Sequence, residues 1–306
     1  MQWLLKLTVT STVLISILCG SPSRAQDGAL VPPEIVNLSL PIDGSPTDVV
    51  THIYKPKLPS AAAFPLVIFS HGRNYNPNPL NPSDISIPHI NPEVANWWLQ
   101  KGFAVVAPLR PGYSETGGFD RENQFIYWQG SSCITEPKSI NPLYGRAAVK
   151  AREVVLATLT WAQTQPWVKR DRIVLVGQSV GGMTTIATAA INPEGVIAGI
   201  NFAGGMGGNP TTSPRKSCQP EQLTTIYGQY GKTTRVPTLW LYADNDLFWG
   251  PDFPKQWFEA FKTGGSDATF VQTPPVPGQV NGHTLINTGG PLWKPEVDTF
   301  LKKLKS

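Results

Sequence analysis

Apolar residues along this chain fall into short runs bounded by proline, glycine and asparagine. Ile35 to Leu40 and Val49 to Tyr54 flank the turn-rich piece Pro41 to Pro46 and read as an antiparallel strand pair opening a sheet. Pro65 to Ser70, Phe103 to Pro108, Arg172 to Gln178, Val196 to Phe202 and Val236 to Ala243 are more continuous, the pattern of strands covered on both faces. Ala268 to Thr273 reads as a further strand. Between them lie helical stretches: Glu93 to Lys101, Leu143 to Gln165, Met183 to Ala190, Pro254 to Thr263 and Pro295 to Lys305. In the longest, Ala151, Val154, Val155, Thr158 and Ala162 are spaced for one buried face, and Pro166 ends it. Strands and helices alternate from residue 65 onward, which predicts an α/β chain with a mainly parallel central sheet flanked by helices. Loop insertions at 74–92, 113–142 and 204–235 interrupt the alternation, the last two read as irregular. No linker-like stretch divides residues 26–306, so they are expected to form one domain.

Composition narrows the class. With 306 residues and 41% hydrophobic content the chain can bury a sizeable core. The 30 prolines and 28 glycines show no period and cluster between the apolar runs, as in long ordered loops. Met1 to Ala25 has the layout of a secretory signal: Lys6, an apolar stretch from Leu7 to Cys19, and a small-x-small site at Ser23-Arg24-Ala25. That stretch is shorter than the roughly 20 residues of a membrane span. The mature protein is therefore expected to be exported, periplasmic or extracellular, with no membrane span. Cleavage would remove Lys6 and Arg24, leaving 23 basic against 21 acidic residues and a net charge of +2. Such a balance argues against a nucleic-acid or membrane-surface partner. It would also leave Cys133 and Cys218, which an oxidising compartment could join or which could stand as separate buried thiols.

One junction carries chemistry. The apolar run from Ile173 to Val176 ends in Gly177-Gln178-Ser179-Val180-Gly181, and a small-residue helix follows. Strand, sharp turn and helix in that order form a nucleophile elbow, with Ser179 at its tip. A serine hydroxyl needs a base within hydrogen-bond reach and a third group to orient that base. Of four histidines, only His283 lies C-terminal to Ser179, on a loop between the last strand and the last helix. His52 reads as a structural strand residue, His71 as a brace in a His-Gly turn, and His89 as part of the Pro/Asn-rich insertion. The strand ending at Ala243 runs into Asp244-Asn245-Asp246, where Asp246 is the expected acid and Asp244 the alternative. The oxyanion would be held by the N–H groups of Val180 and Arg73. The Arg73 guanidinium could instead bind substrate or be solvated. Phe248 and Trp249 are candidate walls of an acyl pocket. Trp97, Trp98 and Trp128 could serve likewise or be core aromatics.

His71-Gly72, Arg110-Pro111-Gly112-Tyr113, Asp171-Arg172-Ile173 leading into Gly177 to Gly182, Ala243 to Asp246, and Gly282-His283 together resemble the α/β-hydrolase superfamily. Within it the chain looks like the secreted dienelactone-hydrolase-like and esterase-like group, over roughly residues 35–305. The resemblance implies a Ser-His-Asp triad, hydrolysis of carboxylic esters through an acyl-enzyme, and no cofactor or metal. Dienelactone hydrolase proper has a cysteine nucleophile where Ser179 stands, so lactone specificity does not carry over. The substrate would be a small-molecule or polymeric ester. Peptide, thioester or polyester cleavage on the same triad, or a non-catalytic binding protein with the hydrolase fold, are the competing readings.

Overall fold

The apolar runs become the strands of one eight-stranded sheet. They are β1 (Glu34–Ile42), β2 (Ser45–Tyr54), β3 (Phe64–Ser70), β4 (Ala104–Pro108), β7 (Val168–Gln178), β8 (Val196–Phe202), β11 (Thr238–Ala243) and β12 (Ala268–Thr273), with hairpin strands β5 (Ile126–Gln129) and β6 (Ser132–Thr135), and β9 (Gly208–Asn209) and β10 (Ser213–Ser217), in two side sheets. The spatial order is β1-β2-β4-β3-β7-β8-β11-β12. β1, β2 and β4 pair antiparallel, and every pairing from β4 to β12 is parallel. This computed structural model describes residues 30–57, 63–73, 89–122, 126–129, 131–135 and 143–304, with 126–129, 134 and 135 as backbone only. The chain divides into Met1–Leu30 and Val31–Ser306, and of the first only Leu30 is described. The signal-like segment 1–25, the stretch 75–88 and the Trp128 ring lie outside the described residues.

Alternation within the runs feeds both faces of the sheet. Leu66, Ile68, Ile173 and Leu175 join Val155 and Leu159 of α2 (Leu143–Gln163) on one side. Val67, Phe69, Val174, Val176 and Phe202 face the other side. They pack with Trp97 and Trp98 of α1 (Pro92–Gln100) and Trp293 of α7 (Gly290–Lys303). A third cluster gathers α3 (Val180–Ala189), α4 (Pro220–Thr233) and α5 (Asp252–Thr263) around Trp240 and Tyr242. A one-turn helix, α6 (Leu285–Thr288), precedes α7. Trp97 and Trp98 are thus core aromatics, and the acyl-wall reading for them is dropped.

Three regions differ from the sequence expectation. The region 204–235 is not irregular: it holds the β9–β10 hairpin and α4. The Gln/Thr/Gly-rich sequence of α4 is a modest helix former, but Leu223, Ile226 and Tyr227 are buried, and Gly231 packs so closely on Phe261 O of α5 that a Cβ could not fit. Packing outweighs propensity here. The insertion 113–142 likewise contains a hairpin, β5–β6. The last helix begins at Gly290 rather than Pro295. Burial of Trp293, whose indole N–H donates to Ile286 O at 3.0 Å, outweighs the hydrogen bond that Pro295 cannot donate.

Register brings the chemistry to one edge. Ser70 pairs with Gly177, Gln178 with Phe202, Phe202 with Leu241, and Ala243 with Thr273. The loops after β3, β7, β8 and β11 therefore leave the sheet side by side, beyond the carboxyl ends of the parallel strands where open α/β sheets bind ligands.

Candidate active site

Ser179 stands between β7 and α3 with φ 55° and ψ −124°, a backbone conformation that non-glycine residues rarely adopt and that costs about 1–3 kcal/mol. Its surroundings impose it. Ser179 N–H donates to Phe202 O at 2.9 Å, and Ser179 O accepts from Met183 N–H at 3.0 Å and Gly205 N–H at 3.2 Å. The flanking glycines allow the approach. A Cβ on Gly177 would collide with Gly181 O, and one on Gly181 with the carbonyl oxygens of Ser70 and His71. Val180 opens α3, so its N–H is among the first four of the helix, which have no intrahelical acceptor. Gly72 packs on the other side of the serine: a Cβ there would lie 3.2 Å from Ser179 Cβ and 3.9 Å from Oγ.

The acid and the imidazole meet. His283 Nδ1 donates to Asp246 Oδ2 at 2.9 Å, with Asp246 fully buried and His283 6% exposed. Asp246 Oδ1 accepts from Phe248 N–H at 2.7 Å and Trp249 N–H at 3.3 Å, which fixes the carboxylate plane. With Nδ1 carrying that proton, Nε2 is left as an acceptor. Asp244 is turned outward to Gln272 Nε2, 3.0 Å away, and does not approach the imidazole. Gln178 Nε2 donates to His283 O at 3.0 Å and ties the histidine loop to the residue preceding Ser179.

Two asparagines with no role assigned from sequence weld the acid and histidine loops together. Asn281 Oδ1 accepts from Leu247 N–H at 2.9 Å and His283 N–H at 3.0 Å. Asn245 Oδ1 accepts from Val276 N–H at 3.0 Å, its Nδ2 donates to Gln279 O at 2.9 Å, and its carbonyl accepts from Gly282 N–H at 3.0 Å. Their sequence signal was an asparagine beside each candidate residue, in turn segments where Asn commonly bonds local backbone.

The aromatic neighbours divide. Phe248 is half-buried and stacks on the His283 ring, centroids 3.9 Å apart. Trp249 is 1% exposed, lies edge-on to His283 and Trp257, and donates its indole N–H to Ala203 O at 2.8 Å. It backs the imidazole from within the core and has no open face for an acyl chain, which corrects its reading as a pocket wall. The Arg73 guanidinium is half-buried and paired: its Nη2 pairs with Asp120 at 2.6 Å and its Nη1 donates to Glu122 O at 3.0 Å. The other histidines are engaged elsewhere. His52 stacks on His89 at 3.8 Å, and His89 Nε2 lies 3.3 Å from Glu115. His71 Nδ1–H donates to Gly72 O at 2.7 Å while its Nε2 accepts from Arg110 N–H at 3.0 Å. Burial and the nearby Arg110 charge hold the His71 pKa well below its ordinary value. Cys133 and Cys218 form a disulfide, Cα atoms 5.4 Å apart, joining the β5–β6 hairpin to the segment before α4. Among the described residues no group of three His, Cys, Asp or Glu side chains is arranged to hold a metal ion. No helix among them is long and apolar enough to cross a membrane.

No protein-family model matches the sequence, and no curated protein matches it either. Solved structures do. A puromycin-hydrolysing peptidase of Mycobacterium tuberculosis superposes with TM-score 0.55 at 15% identity over 88% of this chain and 40% of its own. A Klebsiella pneumoniae protein described as a dienelactone hydrolase gives 0.52 at 15% over 87% and 97%, and a Pyrococcus furiosus esterase 0.55 at 14% over 89% and 93%. This chain has the α/β-hydrolase fold. It spans about two fifths of the length of the peptidase and nearly all of the other two. Ser179 lies at the turn after β7, Asp246 in the loop after β11, and His283 in the segment after β12.

Proposed function

We propose that the protein is an exported serine hydrolase that cleaves carboxylic esters by acyl transfer. The observation that carries the reading is the buried Asp246–His283 hydrogen bond, on loops tied by Gln178 to the strained elbow that presents Ser179. Ser179 Oγ attacks the ester carbonyl carbon while His283 Nε2 takes its proton, and Asp246 stabilises the imidazolium that forms. The N–H groups of Val180 and Arg73 hold the tetrahedral oxyanion, one from the helix start and one from the loop beside Gly72. Collapse expels the alcohol with the proton from His283. Water then adds to the acyl-enzyme by the same proton route and releases the acid. The Cys133–Cys218 disulfide supports export, since such bonds persist in oxidising compartments.

Peptide hydrolysis by the same groups is the second reading, prompted by the likeness to a peptidase. The ester reading is preferred because the esterase and the dienelactone hydrolase are neighbours matched over 93% and 97% of their own length. The test is fluorophosphonate labelling beside turnover of matched p-nitrophenyl esters and p-nitroanilides. Native protein labelled at Ser179, a silent Ser179→Ala variant and faster ester turnover are expected. Labelling elsewhere, or none on folded protein, refutes the hydrolase reading, and preferential anilide cleavage refutes ester specificity.

A further inference from the structure

Next to Ser179 lies a buried charged cluster that the acyl-transfer scheme does not use. Arg110, Glu122, Tyr113 and His71 are all 2% exposed or less, and Asp120 is 8% exposed. Glu122 grips Arg110 through Nε–Oε1, with Nη2 3.3 Å from Oε2, and Tyr113 OH donates to the same Oε2 at 2.9 Å. The rest of the Arg110 fork is turned on the loop after β3. Nη1 donates to His71 O at 2.7 Å and Ser70 Oγ at 3.1 Å, and Nη2 to Gly72 O at 3.2 Å. Asp120 pairs with Arg73, and its Oδ1 accepts Glu122 N–H at 2.9 Å. Two guanidinium groups face two carboxylates, so the cluster is formally neutral.

The consequence follows from peptide planarity. In a trans peptide the carbonyl of one residue and the N–H of the next point in opposite directions across a rigid plane. Gly72 O is held by two donors at once, Arg110 Nη2 and His71 Nδ1. Fixing that oxygen fixes the direction of Arg73 N–H, on the loop whose Gly72 lies so near Ser179 that a Cβ on it would come within 3.2 Å of the serine Cβ. The low pKa of His71 keeps its ring neutral, with one nitrogen donating to Gly72 O and the other accepting from Arg110 N–H.

We infer that Arg110, anchored by Glu122, is the positioning residue of the oxyanion hole, and that the Asp120–Arg73 pair clamps the same loop from its far end. The inference rests on the proposed acyl-transfer reading and assigns a function to the Arg-Pro-Gly-Tyr segment. An oxyanion contact is made in the transition state and hardly in the substrate complex, so loosening it lowers kcat and leaves KM in place.

The experiment measures kcat, KM and inhibition by an alkyl boronic acid, which forms a tetrahedral adduct on the serine, in native protein, Arg110→Lys and Asp120→Asn. Lysine keeps the buried charge but has no planar fork to hold three loop acceptors. Asparagine keeps an acceptor for Glu122 N–H and removes the charge facing Arg73. Both folded variants are expected to lose about 10- to 100-fold in kcat with KM within about twofold, and boronate affinity should weaken in proportion. Should Arg110→Lys fail to fold, Asp120→Asn carries the test alone. Native kcat in folded variants, or a loss appearing in KM alone, overturns the positioning role. Native protein that neither labels at Ser179 nor turns over esters overturns the hydrolase reading and this inference with it, so the two failures are distinguishable.

Discussion

Replacing Asp246 with asparagine tests the proposed triad at its best-defined contact. The carboxylate accepts three hydrogen bonds, from His283 Nδ1 on Oδ2 and from Phe248 and Trp249 N–H on Oδ1. An amide has one oxygen and one NH2, so it cannot serve both sides. If its oxygen keeps the two backbone donors, its NH2 faces His283. Nδ1 must then accept, and the ring proton moves to Nε2, where it blocks proton uptake from Ser179. If the amide turns round, its NH2 opposes two buried N–H donors, at about 1–3 kcal/mol for each unmade bond. The inactive orientation is therefore favoured by about 2–6 kcal/mol, which at 1.36 kcal/mol per decade leaves roughly one molecule in 30 to one in 10⁴ with a working base. Asp246→Asn should lower kcat/KM about 30- to 10⁴-fold with little change in melting temperature. Asp244→Asn, at an exposed side chain that accepts from Gln272 Nε2, should stay within about twofold of native. Steady-state hydrolysis of p-nitrophenyl acetate at pH 7.5 reads both. An Asp246→Asn enzyme within about tenfold of native, or an equal loss in Asp244→Asn, would falsify the assignment of the acid.

Two further predictions concern stability. The Cys133–Cys218 bridge closes a sequence separation of 85 residues. Loop-closure entropy for that length is about 4.5 kcal/mol, so the Cys133→Ala/Cys218→Ala double variant should melt about 10 °C lower in calorimetry, and an unchanged transition would show that the bridge contributes nothing. His71 has a strongly depressed pKa in the fold, so it adds stability above its unfolded pKa near 6.5 that is lost as pH falls below that value. His52, also depressed, acts in the same sense, while Asp120, whose pKa is raised by burial, acts in the opposite one. The stability read by urea unfolding should fall as the pH drops below about 6.5, and a flat or rising profile would contradict a neutral, buried His71.

Much of this protein could be read along the chain because the deciding physics is local. A β-branched run covered on both faces, a glycine-flanked serine and a small-residue helix specify strand, elbow and helix by sterics alone. The chain order of Ser179, an acid and His283 then left few candidates. The sequence favours Asp246 over Asp244 by position in the turn alone, because two aspartates two residues apart differ only in where the turn after β11 aims them. Only the folded loop, with Phe248 and Trp249 N–H on one oxygen and His283 on the other, separates them. Tertiary packing also decided what local propensity could not. It formed α4 from a modest helix-forming sequence, buried Trp249 behind the imidazole, joined Cys133 to Cys218, and turned Arg73 from a candidate ligand into a partner of Asp120. Each of these rests on groups far apart in sequence, whose meeting is fixed by the sheet order and not by any neighbouring residue.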